Sequence, residues 1–172
     1  MKKVILLSFL TVALVGSLSI FAQQDKSKRP SPPAKVSETT SKGVSITIDY
    51  SQPSVKGRTI GKDIAPFGKV WRTGANEATT FEINKDAKVE GKSLKAGKYS
   101  LYSIPGRDEV IVIFNKTWNQ GGMVYSEAED ALRVKVKPSK APVFTEKMTF
   151  AIDKSGKVLL MWGDWQVGFM VA

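Results

Sequence analysis

From residue 44 onward, apolar and polar positions alternate. Val44, Ile46, Ile48 and Tyr50 are separated by Ser45, Thr47 and Asp49, the period of a strand with one buried face. Residues 78–83 repeat the pattern, with Thr79, Phe81 and Ile83 on one side. Residues 88–94 are predicted to form a hairpin around Glu90-Gly91-Lys92. Residues 99–104 form another strand, closed by the turn signal Pro105-Gly106-Arg107-Asp108. Residues 110–114 are apolar at every position, which predicts a central strand covered on both faces. Leu132, Val134 and Val136 alternate with Arg133, Lys135 and Lys137, a strand with a basic outer face that Pro138 ends. Phe144, Met148, Phe150 and Ile152 mark a further strand, turned back at residues 153–156. Residues 158–162 and 165–171 are then two last strands joined at Gly163-Asp164. A single helical turn is expected, at residues 126–130. The pattern predicts about nine short strands with almost no helical period, an all-β fold. Fold-class statistics favour an antiparallel β-sandwich, jelly-roll-like or Ig-like.

Two long stretches lack a regular period. Residues 60–69 hold too many breakers for an element and lead into Trp71. Residues 115–125, with Trp118, Asn119, Gln120, Gly121 and Gly122, form a long loop of the kind that carries function on a rigid sheet.

The N-terminus differs from the rest. Met1-Lys2-Lys3 is a basic start, residues 4–15 are almost wholly apolar, and small and polar residues gather before Ala22. This is the build of a secretory signal over residues 1–22, which implies a periplasmic or secreted protein with no membrane anchor after cleavage. An uncleaved anchor over residues 4–22 is the competing reading. Residues 23–43 are rich in Pro, Ser and Lys and show no apolar periodicity. They read as a disordered linker, because they bury too little surface to offset the entropy of ordering. The single sandwich domain is then residues 44–172.

Composition narrows the chemistry. The chain has 172 residues and contains no His and no Cys. Ser-His-Asp and Cys-His nucleophilic sites, Cys/His zinc sites, iron–sulfur clusters and disulfides are therefore excluded. No acidic loop has calcium spacing, and Gly121-Gly122 lacks the partners of a phosphate loop; no metal and no cofactor is expected. The net charge of +10 becomes +8 once Lys2 and Lys3 leave with the signal. Such a charge suits contact with anionic surfaces. No nucleic-acid module appears, so no specific nucleic acid is expected.

The stretch where candidate chemistry concentrates is residues 70–81. Arg72 can grip an anion or stack on a sugar ring. Asn76 supplies a donor and an acceptor, and Glu77 accepts from hydroxyls. Trp71, Trp118 and Tyr125 offer apolar platforms. Trp71, Arg72, Asn76, Glu77, Trp118 and Tyr125 are thus the candidate ligand-binding residues. The bland alternative has Arg72 paired with Glu77 to pin a turn, Asn76 capping the loop and Trp71 in the core. A glycan hydrolase would need two carboxylates roughly 5 to 10 Å apart across a cleft, with Glu77 paired to Asp49, Asp63 or Asp164. The stripe Arg133, Lys135, Lys137 and Lys140 could draw an anionic polymer, or be a solvent face kept soluble by charge.

The runs 49–58, 68–79 and 94–106, together with 112–116 and 132–136, resemble the family called domain of unknown function 2911. The resemblance covers nearly all of residues 46–171 and is most specific at Trp71-Arg72-Thr73-Gly74-Ala75-Asn76-Glu77. It implies an exported bacterial domain, and it carries over no catalytic residues. The expectation is a binding or interaction module for a small polar ligand, a glycan or an envelope protein, with no assigned catalytic residue. A carboxylate-dependent glycan hydrolase and a purely structural domain are the alternatives.

Overall fold

The computed structural model describes residues 25–119, 121 and 124–172. The basic and apolar stretch read as a signal, residues 1–22, lies outside the described residues, as do Gln120 and Gly122 of the long loop. The described residues form ten strands: β1 (Pro33–Thr39), β2 (Ser45–Ser51), β3 (Thr79–Ile83), β4 (Ala87–Val89), β5 (Lys92–Leu94), β6 (Gly97–Ile104), β7 (Val110–Asn115), β8 (Asp130–Val136), β9 (Ser139–Ile152) and β10 (Lys157–Met170). The only helical pieces are 3-10 turns at Lys26–Lys28 and Glu127–Glu129.

Six strands make one antiparallel sheet in the order β1-β2-β3-β6-β7-β8. The long β9–β10 hairpin forms the second layer, and β4–β5 is a small separate hairpin. The core lies between the layers. Ile46, Ile48, Phe81, Leu101, Val112, Phe114 and Val134 face it from the sheet; Met148, Phe150, Leu160, Trp162, Val167 and Phe169 face it from the hairpin. Aromatic edges cross the gap: Tyr50 meets Phe150 at 5.0 Å between ring centroids and Phe114 meets Phe169 at 5.9 Å. The alternation seen in the sequence is the cause, since a side-chain period of two puts every second residue of a strand on one face. The fold is all-β and sandwich-like.

Two expectations are corrected. The stretch 23–43, read as a disordered linker, contains β1, which pairs with β2 over its whole length from Pro33↔Ser51 to Thr39↔Ser45. Its few apolar residues suffice because β1 is an edge strand. The ladder satisfies its backbone, Ala34 and Val36 pack on the core, and Lys35, Ser37 and Thr39 face solvent. The domain therefore begins before residue 44. Second, residues 158–171 are not two strands. β10 runs through Gly163, with register shifts on both sides of it. Gly163 bends the strand with φ of +61° instead of breaking it. β7, expected as a central strand covered on both faces, lies inside the sheet between β6 and β8 and is covered on both faces. The loop after it returns over the outer face of the sheet, and a second small core forms there from Ala78, Tyr102 and Ile113, with Tyr125 packed on it.

Candidate functional site

That returning loop covers only the β6–β8 half of the outer face. Over β2 and β3 the outer face stays open, and a groove of about 430 Å³ remains. Asp49 and Thr80 are cross-strand partners on its floor, and Ala78 continues it. Trp118, at the start of the returning loop, forms one wall with Lys98. Lys26, Arg29 and Glu77 form another.

The Trp118 wall is set by a buried amide. Asn115 ends β7 and is fully buried. Its Nδ2 donates to the Ser126 carbonyl at 2.9 Å and to Asp130 Oδ1 at 2.8 Å, while its Oδ1 accepts from the Thr117 backbone N–H at 3.1 Å. Ser100 Oγ, beneath the loop, donates to the Thr117 carbonyl at 2.9 Å. The backbone just before Trp118 is therefore fixed to the sheet at Thr117, while the indole itself is 44 % exposed. Lys98 Nζ lies 4.9 Å from the centre of the indole and 3.6 Å from Glu82, a cation–π contact that orients the ring.

The opposite wall belongs to Glu77. Arg29 Nη1 reaches both carboxylate oxygens at 3.0 Å, and Lys26 Nζ stands 3.2 Å from Oε1. The Arg29 hydrogen bonds are the main reason that the Glu77 pKa is pushed down to about 2. Glu77 is a carboxylate at any ordinary pH, so it accepts hydrogen bonds and does not deliver protons.

The six candidate residues are thus divided. Glu77 and Trp118 line one groove. Asn76 stands beside it, but its Nδ2 is engaged with the Ser31 carbonyl at 2.9 Å and Ser51 Oγ at 3.2 Å, tying the N-terminal segment to the sheet. Trp71 belongs to the core side: it stacks on Trp162 at 5.5 Å and 13°, and its Nε1 donates to the Gly74 carbonyl. Arg72 does not line the groove. It is half-buried, and its charge acts on the Tyr102 phenol. Tyr125 is held in a polar cluster under the loop, donating to Asp130 Oδ2 at 2.8 Å and accepting from Arg133 Nη2 at 2.6 Å. Burial, aided by the Asp130 bond, pushes its phenol up to about 12.

Residues 71–79 are in effect a self-bonded loop. Trp71 exchanges both backbone hydrogen bonds with Ser103 of β6, and β3 rejoins the same edge of β6 at Thr79. Between them, Thr79 Oγ1 donates to the Thr73 carbonyl at 2.7 Å and Thr73 Oγ1 donates to Ser103 Oγ at 3.0 Å. Gly74 is required by close approach, since a Cβ there would sit 2.8 Å from Thr79 Oγ1. The concentration of unusual residues in this motif mainly serves loop closure.

Sequence reasoning missed Lys26, Arg29, Thr80 and Lys98. The last two carried a signal: strand alternation points them away from the core. The first two carried none, because they lie in the segment read as linker. Of the carboxylates weighed as partners of Glu77, only Asp49 shares the groove, where Lys35 Nζ approaches it at 3.5 Å. Asp63 accepts from the Thr59 N–H, and Asp164 lines a different depression. Among the described residues, no group of three acidic side chains is placed to hold a metal ion.

Comparison with curated proteins and with solved structures returned no match. The family model described as protein of unknown function (DUF2911) matches residues 31–171, from just before β1 to the residue after β10, and the chain belongs to that family.

Proposed function

We propose that this protein is an exported module that binds a neutral, hydroxyl-rich ligand, a glycan segment, along the groove between Trp118 and Glu77. The observation that carries the reading is the half-exposed Trp118 indole, which follows the sheet-bonded Thr117 and lines an open groove. A sugar ring has an apolar face and a rim of hydroxyls. An indole matches the face, and Asp49, Thr80 and Glu77 match the hydroxyls. The charges lining the groove are locally paired: Glu77 with Arg29 and Lys26, Asp49 with Lys35, and Lys98 with Glu82. Paired charges favour a neutral ligand over an ion. Export is supported by the basic start and apolar run of residues 1–22.

Binding fits better than hydrolysis. A glycosidase needs a carboxylic acid whose pKa is raised so that it can protonate the leaving oxygen. The groove carboxylate with a shifted pKa, Glu77, is shifted the other way.

The test is calorimetric titration with maltotriose, cellotriose and chitotriose, alongside amide NMR shifts at Thr80 and Lys98. Trp118→Ala is expected to weaken binding of the responsive sugar by about tenfold or more, the scale of a lost aromatic contact. Its melting temperature should stay near that of the parent, since the indole is not in the core. Binding unchanged by Trp118→Ala, or none by any of the sugars, would remove the reading.

A further inference from the structure

The β9–β10 hairpin carries a second feature, made of residues that do not line the groove, that its pairing does not require. Lys140 pairs with Trp165 and Thr145 pairs with Gly163, so residues 141–144 of β9 stand opposite Asp164 alone. Ala141 turns inward and is buried, while Pro142, Val143 and Phe144 turn out. Val143 is 72 % exposed and Phe144 is 60 % exposed, the highest values for large apolar side chains among the described residues. The projection is held in place from below. The Phe144 ring approaches Gly163, where a Cβ would lie 3.7 Å from Cε2. It also shares a shallow depression with Ile60, Phe67 and Trp165.

Cations surround this apolar tip. Lys140 and Lys147 flank it on β9, both exposed, and Lys137 precedes it. Arg58 lines the same depression, and the Arg107 guanidinium lies 5.5 Å from the centre of the Phe67 ring. The carboxylates nearby are fewer: Asp164 in the depression, Glu146, which accepts from the Lys56 N–H, and Asp63, which accepts from the Thr59 N–H.

We propose that the bulge Pro142-Val143-Phe144 is a docking tip for an anionic lipid surface, with Phe144 and Val143 entering the headgroup layer and Lys140 and Lys147 meeting lipid phosphates. Two projecting apolar side chains are too small a patch for a stable protein interface, which buries about 800 Å² on each partner. They are enough for weak, reversible contact with a membrane, where apolar insertion and basic residues act together. The long lysine side chains can reach a phosphate plane while the tip stays inserted. The net charge, +10 for the full chain and +8 without Lys2 and Lys3, adds long-range attraction in the same direction.

The absence of Cys makes a site-specific test direct. Val143→Cys in the full chain is labelled with a polarity-sensitive fluorophore and mixed with vesicles of phosphatidylglycerol and phosphatidylethanolamine, or of phosphatidylcholine alone. Lys154→Cys, in the exposed turn at the other end of the hairpin, carries the control label. The local readout matters because the apolar residues 4–22 can themselves bring the chain to any vesicle. The expected result is a blue shift at position 143 with the anionic vesicles only. Adding Lys140→Glu and Lys147→Glu should weaken it by at least about tenfold. Equal shifts at 143 and 154, or a shift with phosphatidylcholine as large as with the anionic vesicles, would mean general adsorption and overturn the proposal. A concentration-dependent shift without vesicles would mean that the tip packs on a second copy, and no shift anywhere would mean that it stays in water; either result overturns it.

Discussion

Single side chains in this protein divide into those that hold a loop and those that face an open groove. Asn115 is the clearest of the first kind, with both ends of its amide used on the returning loop. Asn115→Ala would leave the Ser126 carbonyl and one Asp130 oxygen without that donor in a partly buried place, so urea unfolding is expected to show a loss of about 1–3 kcal/mol. Glu77 is the clearest of the second kind. Its folded pKa lies below the ordinary value of 4.5, so the stabilising contact with Arg29 is fully present above about pH 4.5 and fades as pH falls toward 2. A carbon-detected NMR titration of the Glu77 carboxyl should show a midpoint near 2 with, in step, loss of the native Arg29 side-chain signals. Half of the Glu77 side chain is exposed, so screening keeps the effect on global stability below about 1 kcal/mol. Asn115 was visible in the sequence only as the first residue of a long loop. Its hub role needs Ser126 and Asp130 to come back to it, which no local pattern encodes. Arg72 and Tyr125 had chemistry that suited a ligand, but the fold turned that chemistry inward.

At the scale of elements, the alternating strands were legible because each carries its own reason to exist: a buried face of period two and a turn signal at each end. β2, β3 and β8 follow that rule, and β4–β5 follows its Glu90-Gly91 turn. Two elements were not legible for opposite reasons. β1 has few apolar residues, and its stability comes from the ladder with β2, a partner that its own sequence does not name. β10 contains a Gly-Asp pair that looks like a turn, yet β9 runs alongside both halves and holds them as one strand. The bend at Gly163 depends on a left-handed backbone at φ +61°, and an added Cβ would meet Ile60 Cδ1 at 3.2 Å. Gly163→Ala is therefore expected to destabilise by about 1–2 kcal/mol, read as a lower melting temperature. It should also disturb the seat of Phe144, which rests against the same position.

At the scale of the whole molecule, the sandwich presents two separate surfaces: a groove on the outer face of the six-stranded sheet and an apolar tip on the hairpin layer. The sequence by itself determined the all-β class, the place along the chain and inner faces of most strands, and the absence of His and Cys chemistry. These follow from local periodicity and from composition, which do not depend on where the chain goes next. Only the tertiary structure decided which polar residues meet. Lys26 and Arg29 reach Glu77 across about fifty positions of sequence, and Trp118 shares a groove with Thr80 and Asp49 because a loop folds back on the sheet. Such meetings depend on strand order and loop path, and those are settled by how all the buried faces fit together in one core, a property of the assembled chain and of no single stretch.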